Sequence, residues 1–214
     1  VHFVLSDNKE LKTVATDSHR MSQKVITLEK NGDNFDVVIP SRSLREFTSV
    51  FSDDIETVEV FFANNQILFR SEHISFYTRL LEGNYPDTDR LIPTEFNTEA
   101  TFNVANLRFA MERARLLSNA TQNGTVKLEF KNGVVSSHVH SPEVGRVNEE
   151  IDTNAVSGED LSISFNPTYL IEALKAIDSE QVVIRFISSV RPFTLVPEGN
   201  EQGFIQLITP VRTN

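Results

Sequence analysis

Cysteine is absent from the 214 residues, which excludes disulfides, thiolate metal sites and a cysteine nucleophile. Tryptophan is absent and methionine occurs twice, so sixteen phenylalanines and the branched aliphatics must build the core. No apolar run approaches the roughly 20 residues of a membrane-spanning helix. No charged-then-apolar leader is visible, and an intracellular, reducing location is the expectation. The eight glycines are scattered, so no phosphate-cradling loop is present. Neither a G-x-S-x-G elbow nor an H-E-x-x-H helix occurs, and no feature implies a cofactor. The net charge of −10 argues against wrapping nucleic acid by bulk attraction.

What is present is repetition. Leu44, Leu107 and Leu170 recur at intervals of 63 residues, each inside the same local pattern. Each stretch reads as a strand, a cap, a short amphipathic helix and then hairpin-like runs, a β-α-β-β-β module. The modules begin at FDVVIPSRSLREFTSVF, ATFNVANLRFAMERARLLSN and LSISFNPTYLIEALKAI. Residues 1–34 read as a hairpin with a turn near Asp7–Lys9 and then a third strand, the back half of such a module. The chain is therefore expected to begin inside a repeat. Strands outnumber helices, so the class is α+β, with helices on one face of antiparallel sheets.

The helices are expected over about 41–51, 105–118 and 167–177. Ser41, Asn106 and Asn166 are the candidate N-caps, and Pro167 suits the first helical position. Apolar stripes run through Leu44, Phe47 and Phe51, through Leu107, Ala110, Met111 and Ala114, and through Leu170, Ala173, Leu174 and Ile177. The helices hold six cations, Arg42, Arg45, Arg108, Arg113, Arg115 and Lys175, against three acids, Glu46, Glu112 and Glu172. Either short exposed helices simply favour Arg and Lys, or these helices line one surface that faces a polyanion. Turns are signalled at Asn64–Asn65, Asn132–Gly133 and Gly199–Asn200. A break at Leu91–Ile92–Pro93–Thr94 divides the chain into domains 1–93 and 94–214.

Candidate chemistry is sparse. His138 and His140 share a strand face, with Glu143 as a loose third metal ligand. Thr16–Asp17–Ser18–His19–Arg20–Met21 is the densest polar cluster. It reads as a hydrolytic Asp17, Ser18 and His19 set, as a self-satisfied polar turn, or as a binding lip with Met21 for apolar contact and Arg20 as rim. The spacing is too tight for a triad, whose base normally comes from elsewhere in the fold. Leu81–Leu91 is a loop broken by Gly83 and Pro86 between the domains. Phe204–Arg212 is an apolar strand that sits in a sheet, forms a binding surface, or does both.

In this order and spacing, TDSHRM, LLEGNYPDTDRLIP and QLITPVR resemble the bacterial DNA polymerase III β subunits, the replicative sliding clamps. The likeness spans the chain and implies the clamp fold, with part of the middle domain and a complete third domain. Family members form head-to-tail dimeric rings whose helices line the hole around duplex DNA. The resemblance implies a processivity factor rather than an enzyme, cytoplasmic and nucleoid-associated, with no membrane role. Its partners would be duplex DNA held without sequence preference, the replicative polymerase, the clamp loader and other proteins carrying the clamp-binding motif.

By motif position, the family's partner-peptide pocket would comprise Thr16, His19, Arg20 and Met21, with Pro86, Arg90 and Leu91. Val190, Pro192, Leu207, Ile208, Thr209, Pro210, Val211 and Arg212 would complete it. Partners of the family insert peptides with a Gln and a Leu-Phe-type end. The six helical cations would face DNA. Leu116 and Leu117, with Glu149 and Glu150, would form the ring interface, whose partner surface belongs to a first domain. The fragment is therefore not expected to close a ring, and an exposed sheet edge would favour association. Ser18 stands where the family often has Gly, and Pro192 replaces a small polar residue. Another apolar wall residue of the family pocket would precede this chain, and Thr213–Asn214 add a short tail. The alternative is a β-rich peptide- or protein-binding scaffold without a nucleic-acid role.

Overall fold

The computed structural model describes residues 1–7, 9–51, 55–63, 65–118, 124–141, 145–200 and 203–212. Two compact units emerge. The first holds Val1–Ala15 and Lys24–Asp87, and the second holds Thr16–Gln23 and Thr88–Asn214. The division lies a few residues before the Pro93 break, and the TDSHRM segment belongs to the second unit.

In the first unit β1 (His2–Ser6) pairs antiparallel with β2 (Glu10–Thr16) on one side and β4 (Phe35–Val38) on the other. The later part of β3 (Arg20–Thr27) follows β2. A second sheet runs β5 (Glu59–Ala63), β6 (Gln66–Arg70), β7 (Ser75–Arg79). Helix α1 (Ser41–Val50) lies between β4 and β5 in sequence. Its stripe residues Leu44 and Phe47 pack beside a small core of Ile39, Phe51, Ile67 and Phe69. Every residue of β5 is exposed, and among the described residues β5 pairs only with β6.

The second unit carries two modules that exchange strands. Module one is β8 (Thr98–Asn103), α2 (Val104–Ser118), β9 (Val126–Lys131), β10 (Val134–Ser141) and β11 (Gly145–Ile151). Module two is β13 (Leu161–Phe165), α3 (Pro167–Lys175), β14 (Gln181–Phe186), β15 (Phe193–Pro197) and β16 (Phe204–Ile208). The first strand of each module joins the hairpins of the other: β8 pairs with β14, and β13 pairs with β9. A short edge strand, β12 (Ala155–Gly158), flanks β8. The opening of β3 lies beside β16. The described strand pairs of both units run antiparallel, for example with Leu128 opposite Ile163 and Phe102 opposite Val182.

Alternation explains the core of the second unit. Ala100 and Phe102 on β8, and Val126, Leu128 and Phe130 on β9, point inward at every second position. Helix α2 packs on α3 and on strands of both sheets. Phe102, Phe165 and Phe186 are wholly buried, and each such ring contributes about 1.5–3 kcal/mol. The stripe residues Leu107, Ala110, Met111 and Ala114 are buried as the spacing predicts, as are Leu170, Ala173 and Leu174. The Asn132–Gly133 turn has positive φ at both residues, 51° and 78°, which the twist of a two-residue hairpin requires.

Two caps differ from the sequence reading. Pro40 occupies the cap position of α1 and has no hydroxyl, so Ser41 is the first helical residue and caps nothing. Helix α2 is capped by Asn103, whose Oδ1 accepts from the Asn106 amide at 3.0 Å, which places Asn106 inside the helix. Asn166 caps α3 as expected, accepting from the Thr168 amide at 2.9 Å, with Pro167 at the first helical position. Among the described residues no helix is long and apolar enough to cross a membrane, which leaves strand-built spans untested.

Candidate functional site

The Thr16–Met21 segment makes a tight turn that is tied down within the second unit. The Asp17 amide and the Thr16 hydroxyl both donate to the Arg20 carbonyl, at 3.2 and 2.8 Å. Asp17 Oδ1 accepts from the amides of His19 and Arg20, each at 3.2 Å. Ser18 sits at φ 72°, in the left-handed region that favours glycine. A glycine would adopt this conformation at lower steric cost than Ser18 does.

Three groups fix the Arg20 guanidinium. Its Nε donates to Asp17 Oδ2 at 2.8 Å, its Nη1 donates to Glu172 of α3, and it lies 4.8 Å over the Tyr169 ring. The His19 ring stacks on the same tyrosine at 5.9 Å. Partial burial raises the Asp17 pKa. The Arg20 hydrogen bond and charge and the two amides outweigh it, and the carboxyl falls below the usual carboxylate range. Burial likewise pulls Arg20 down, but hydrogen bonds to Glu172 and Asp17 raise it above its ordinary value. The Asp17 carboxylate thus holds the turn through Arg20 and two backbone amides.

The C-terminal strand closes onto this turn. Thr209 donates twice to the His19 carbonyl, from its amide at 2.9 Å and its hydroxyl at 2.7 Å. Val211 donates from its amide to the Ser164 carbonyl at 2.7 Å. Leu207 and Ile208 stand opposite Thr194 and Phe193. The site thus has a buried floor and an exposed rim. Met21, Leu207 and Ile208 are 2%, 4% and 1% exposed, so Met21 is floor and not lip. Val190 and Val211 are 52% and 37% exposed. With Arg212 they open onto one cleft of about 480 Å³. Pro192 and Pro210 are half-buried nearby in sequence. Arg90 and Leu91 lie in the 3₁₀ turn Asp89–Leu91 of the same unit, and Pro86 belongs to the first unit.

Tyr169 and Glu172, which contact Arg20, are absent from the candidate pocket read from the sequence. Tyr169 precedes the buried Leu170 and stands off the stripe of α3. An aromatic residue outside an apolar stripe is the signal that marks it.

Three of the six helical cations are engaged with neighbouring acids. Arg42 donates to Glu46 at 3.1 Å, and Arg108 lies 3.9 Å from Glu112 and over the Phe109 ring. Arg45 and Lys175 are exposed, and Arg115 is half-buried. Arg113 donates to Glu149 through Nε and Nη2, and this hydrogen bond raises its pKa above the ordinary arginine value. The Arg113–Glu149 pair lines a cleft of about 250 Å³ shared with Phe109 and Glu150. Leu116, 71% exposed, stands near its end of α2, whereas Leu117 packs partly on the core.

His138 is held by Asn148 and Ser136 at 2.8 and 2.9 Å. No cluster of three metal-binding side chains occurs among the described residues. Glu143, Asn64 and Thr213–Asn214 lie outside them.

Comparison with known proteins gives a consistent result. Residues 1–87 match the family model for the DNA polymerase III beta subunit, central domain, and residues 89–212 match that for its C-terminal domain. The chain is 80% identical to the beta sliding clamp of Streptococcus pneumoniae over its whole length, covering 57% of that protein. It is 54% identical to the beta sliding clamp of Lactococcus lactis, again covering 57%. The crystal structure of the beta subunit from DNA polymerase of Streptococcus pyogenes superposes with a TM-score of 0.96 at 70% identity, covering all of this chain and 57% of that one. The DNA polymerase sliding clamp of Bacillus subtilis gives 0.94 at 36% identity, covering 56% of its chain. The chain thus spans a little over half the length of the relatives it matches.

Proposed function

This chain belongs to the DNA polymerase III beta subunit family, and on that premise we propose that it supplies the middle and third domains of a processivity clamp. The whole clamp encircles duplex DNA, holds the replicative polymerase by topology, and recruits the polymerase, the clamp loader and other partners through short peptides. The role is non-catalytic and belongs to the bacterial cytoplasm.

One observation carries the peptide-binding part of this reading: the sealing of the Asp17–Arg20 turn to the C-terminal strand by Thr209. That seal sets a rigid aromatic, Tyr169, a polar rim, His19 and Arg20, and the exposed valines 190 and 211 in one unit over a buried floor. A pre-formed apolar surface with a few fixed polar groups suits capture of a short peptide, because little ordering remains to be done on binding. Arg90, Leu91 and Pro192 extend the assignment by motif position.

Arg42, Arg45, Arg108, Arg115 and Lys175 are assigned to phosphate contact, which suits sliding because it reads no base. Arg113 is committed to Glu149. It joins Leu116, Leu117 and Glu150 in the surface assigned to the head-to-tail ring contact.

The test is fluorescence anisotropy with a labelled Gln-Leu-Ser-Leu-Phe peptide. Saturable binding is expected. A Tyr169→Ala, Val190→Asp variant that keeps its circular dichroism should bind at least about tenfold more weakly, the loss of one packed anchor. No saturable binding, or equal binding by the variant, overturns the assignment.

A further inference from the structure

We propose that Asn31 is a site of spontaneous deamidation, and that the fold selects it over a second copy of the same tripeptide. Lys-Asn-Gly occurs twice in the chain, as Lys30–Asn31–Gly32 and as Lys131–Asn132–Gly133.

The chemistry needs an asparagine followed by a residue without a Cβ. The Gly32 main-chain nitrogen, having lost its proton to solvent hydroxide, attacks the side-chain carbonyl carbon of Asn31. A C–N bond closes a succinimide ring, and the side-chain amide leaves as ammonia. Water then opens the ring at one of its two carbonyls and gives aspartate or isoaspartate. Water and hydroxide are the co-reactants. Glycine favours the closure because no side chain crowds the attacking nitrogen.

Both asparagines are exposed, so access to solvent does not separate them. Backbone restraint does. Asn132 and Gly133 are the two central residues of the β9–β10 hairpin, at φ 51° and 78°. Lys131 stands opposite Val134 and Phe130 opposite Val135, so the ladder begins at once on both sides of the turn. The Asn132 amide also donates to Asp160 Oδ1 at 3.0 Å. Ring closure requires the asparagine backbone to rotate until the next nitrogen meets its own side chain. At Asn132 that rotation takes the turn apart and strains the adjoining pairs. At Asn31 it meets no such restraint. Asn31 and Gly32 lie in the connection between β3 and β4, outside any helix or strand, and neither forms a hydrogen bond among the described residues.

The product would bear on the first unit. Gly32 lies against the buried Leu5, and a Cβ built on it falls 3.0 Å from Leu5 Cδ2. Isoaspartate lengthens the main chain beside that contact. Either product adds a negative charge between Glu29 and Asp33 in sequence.

The test incubates the folded chain in mildly alkaline buffer and follows both tripeptides by peptide mapping with mass spectrometry. Asn31 is expected to convert at least about tenfold faster than Asn132, a protection set by the free energy of opening the hairpin. In denaturing urea the two sites should react at similar rates, since the tripeptide is the same. Asn31→Gln should abolish the fast conversion and leave the slow one at Asn132 unchanged. Comparable rates at both sites of the folded chain overturn the inference, and so does the absence of aspartate and isoaspartate at position 31. A preference that persists undiminished in urea also overturns it, because the residues after each glycine, Asp33 and Val134, would then decide rather than the fold.

Discussion

Arg20 is held from three sides, by Asp17, Glu172 and Tyr169, and this arrangement has a pH signature. Asp17 is depressed below the usual carboxylate range in the folded chain. Its contribution to stability is therefore complete above the unfolded carboxylate value, about 3.9, and is lost as pH falls through the depressed folded value. The side chain is 47% exposed, so solvent screening limits the contribution to about 0.5 kcal/mol. Asp17→Asn should accordingly be about 0.5 kcal/mol less stable than the parent at pH 7, a difference that should shrink at pH 3. Urea unfolding at both values measures this, and a difference that grows on acidification counts against the account. At this scale the site was only half legible. The turn residues lie within one hexapeptide and could be read together. Glu172 is 152 residues from Arg20 in sequence, and no local pattern joins them.

Caps and registers show what an element reveals of itself. Asn166 followed by Pro167 was readable because both signals act within three residues. Asn106 misled because two asparagines stand three apart, and the earlier one, Asn103, captures the helix start. Strand β12 was invisible because it alternates nothing. It is a short edge held by backbone pairing to β8, and Gly158 at φ +99° admits no side chain where a Cβ would lie 1.9 Å from the Asn97 carbonyl oxygen. The cap difference is measurable. Asn103→Ala and Asn166→Ala should each cost about 1 kcal/mol, and Ser41→Ala, which removes no cap, only a few tenths. Chemical denaturation of the three variants tests this, and a Ser41 loss equal to the others would contradict the assignment of Pro40 to the cap.

Across the molecule, the 63-residue repeat disclosed the modules but not how they combine. Each module of the second unit lends its first strand to the other, with β8 beside β14 and β13 beside β9. Neither module can then open without breaking ladders in both sheets. That exchange is a long-range pairing, and a repeat period carries no information about it. The first unit has a smaller core of Ile39, Phe51, Ile67 and Phe69, and its strand β5 leaves Val60, Phe61 and Phe62 about two-fifths exposed. Few buried apolar contacts and an uncovered strand make a region of low local stability. Amides of Val126–Phe130 in β9 should therefore outlast those of Glu59–Ala63 in β5 in hydrogen exchange by at least about 100-fold, equivalent to roughly 3 kcal/mol. Equal protection of the two strands would mean that the first unit draws stability from something other than its own core. A large gap would locate the least stable part of the chain in its first unit rather than in the unit that holds the turn and terminal strand of the proposed partner site.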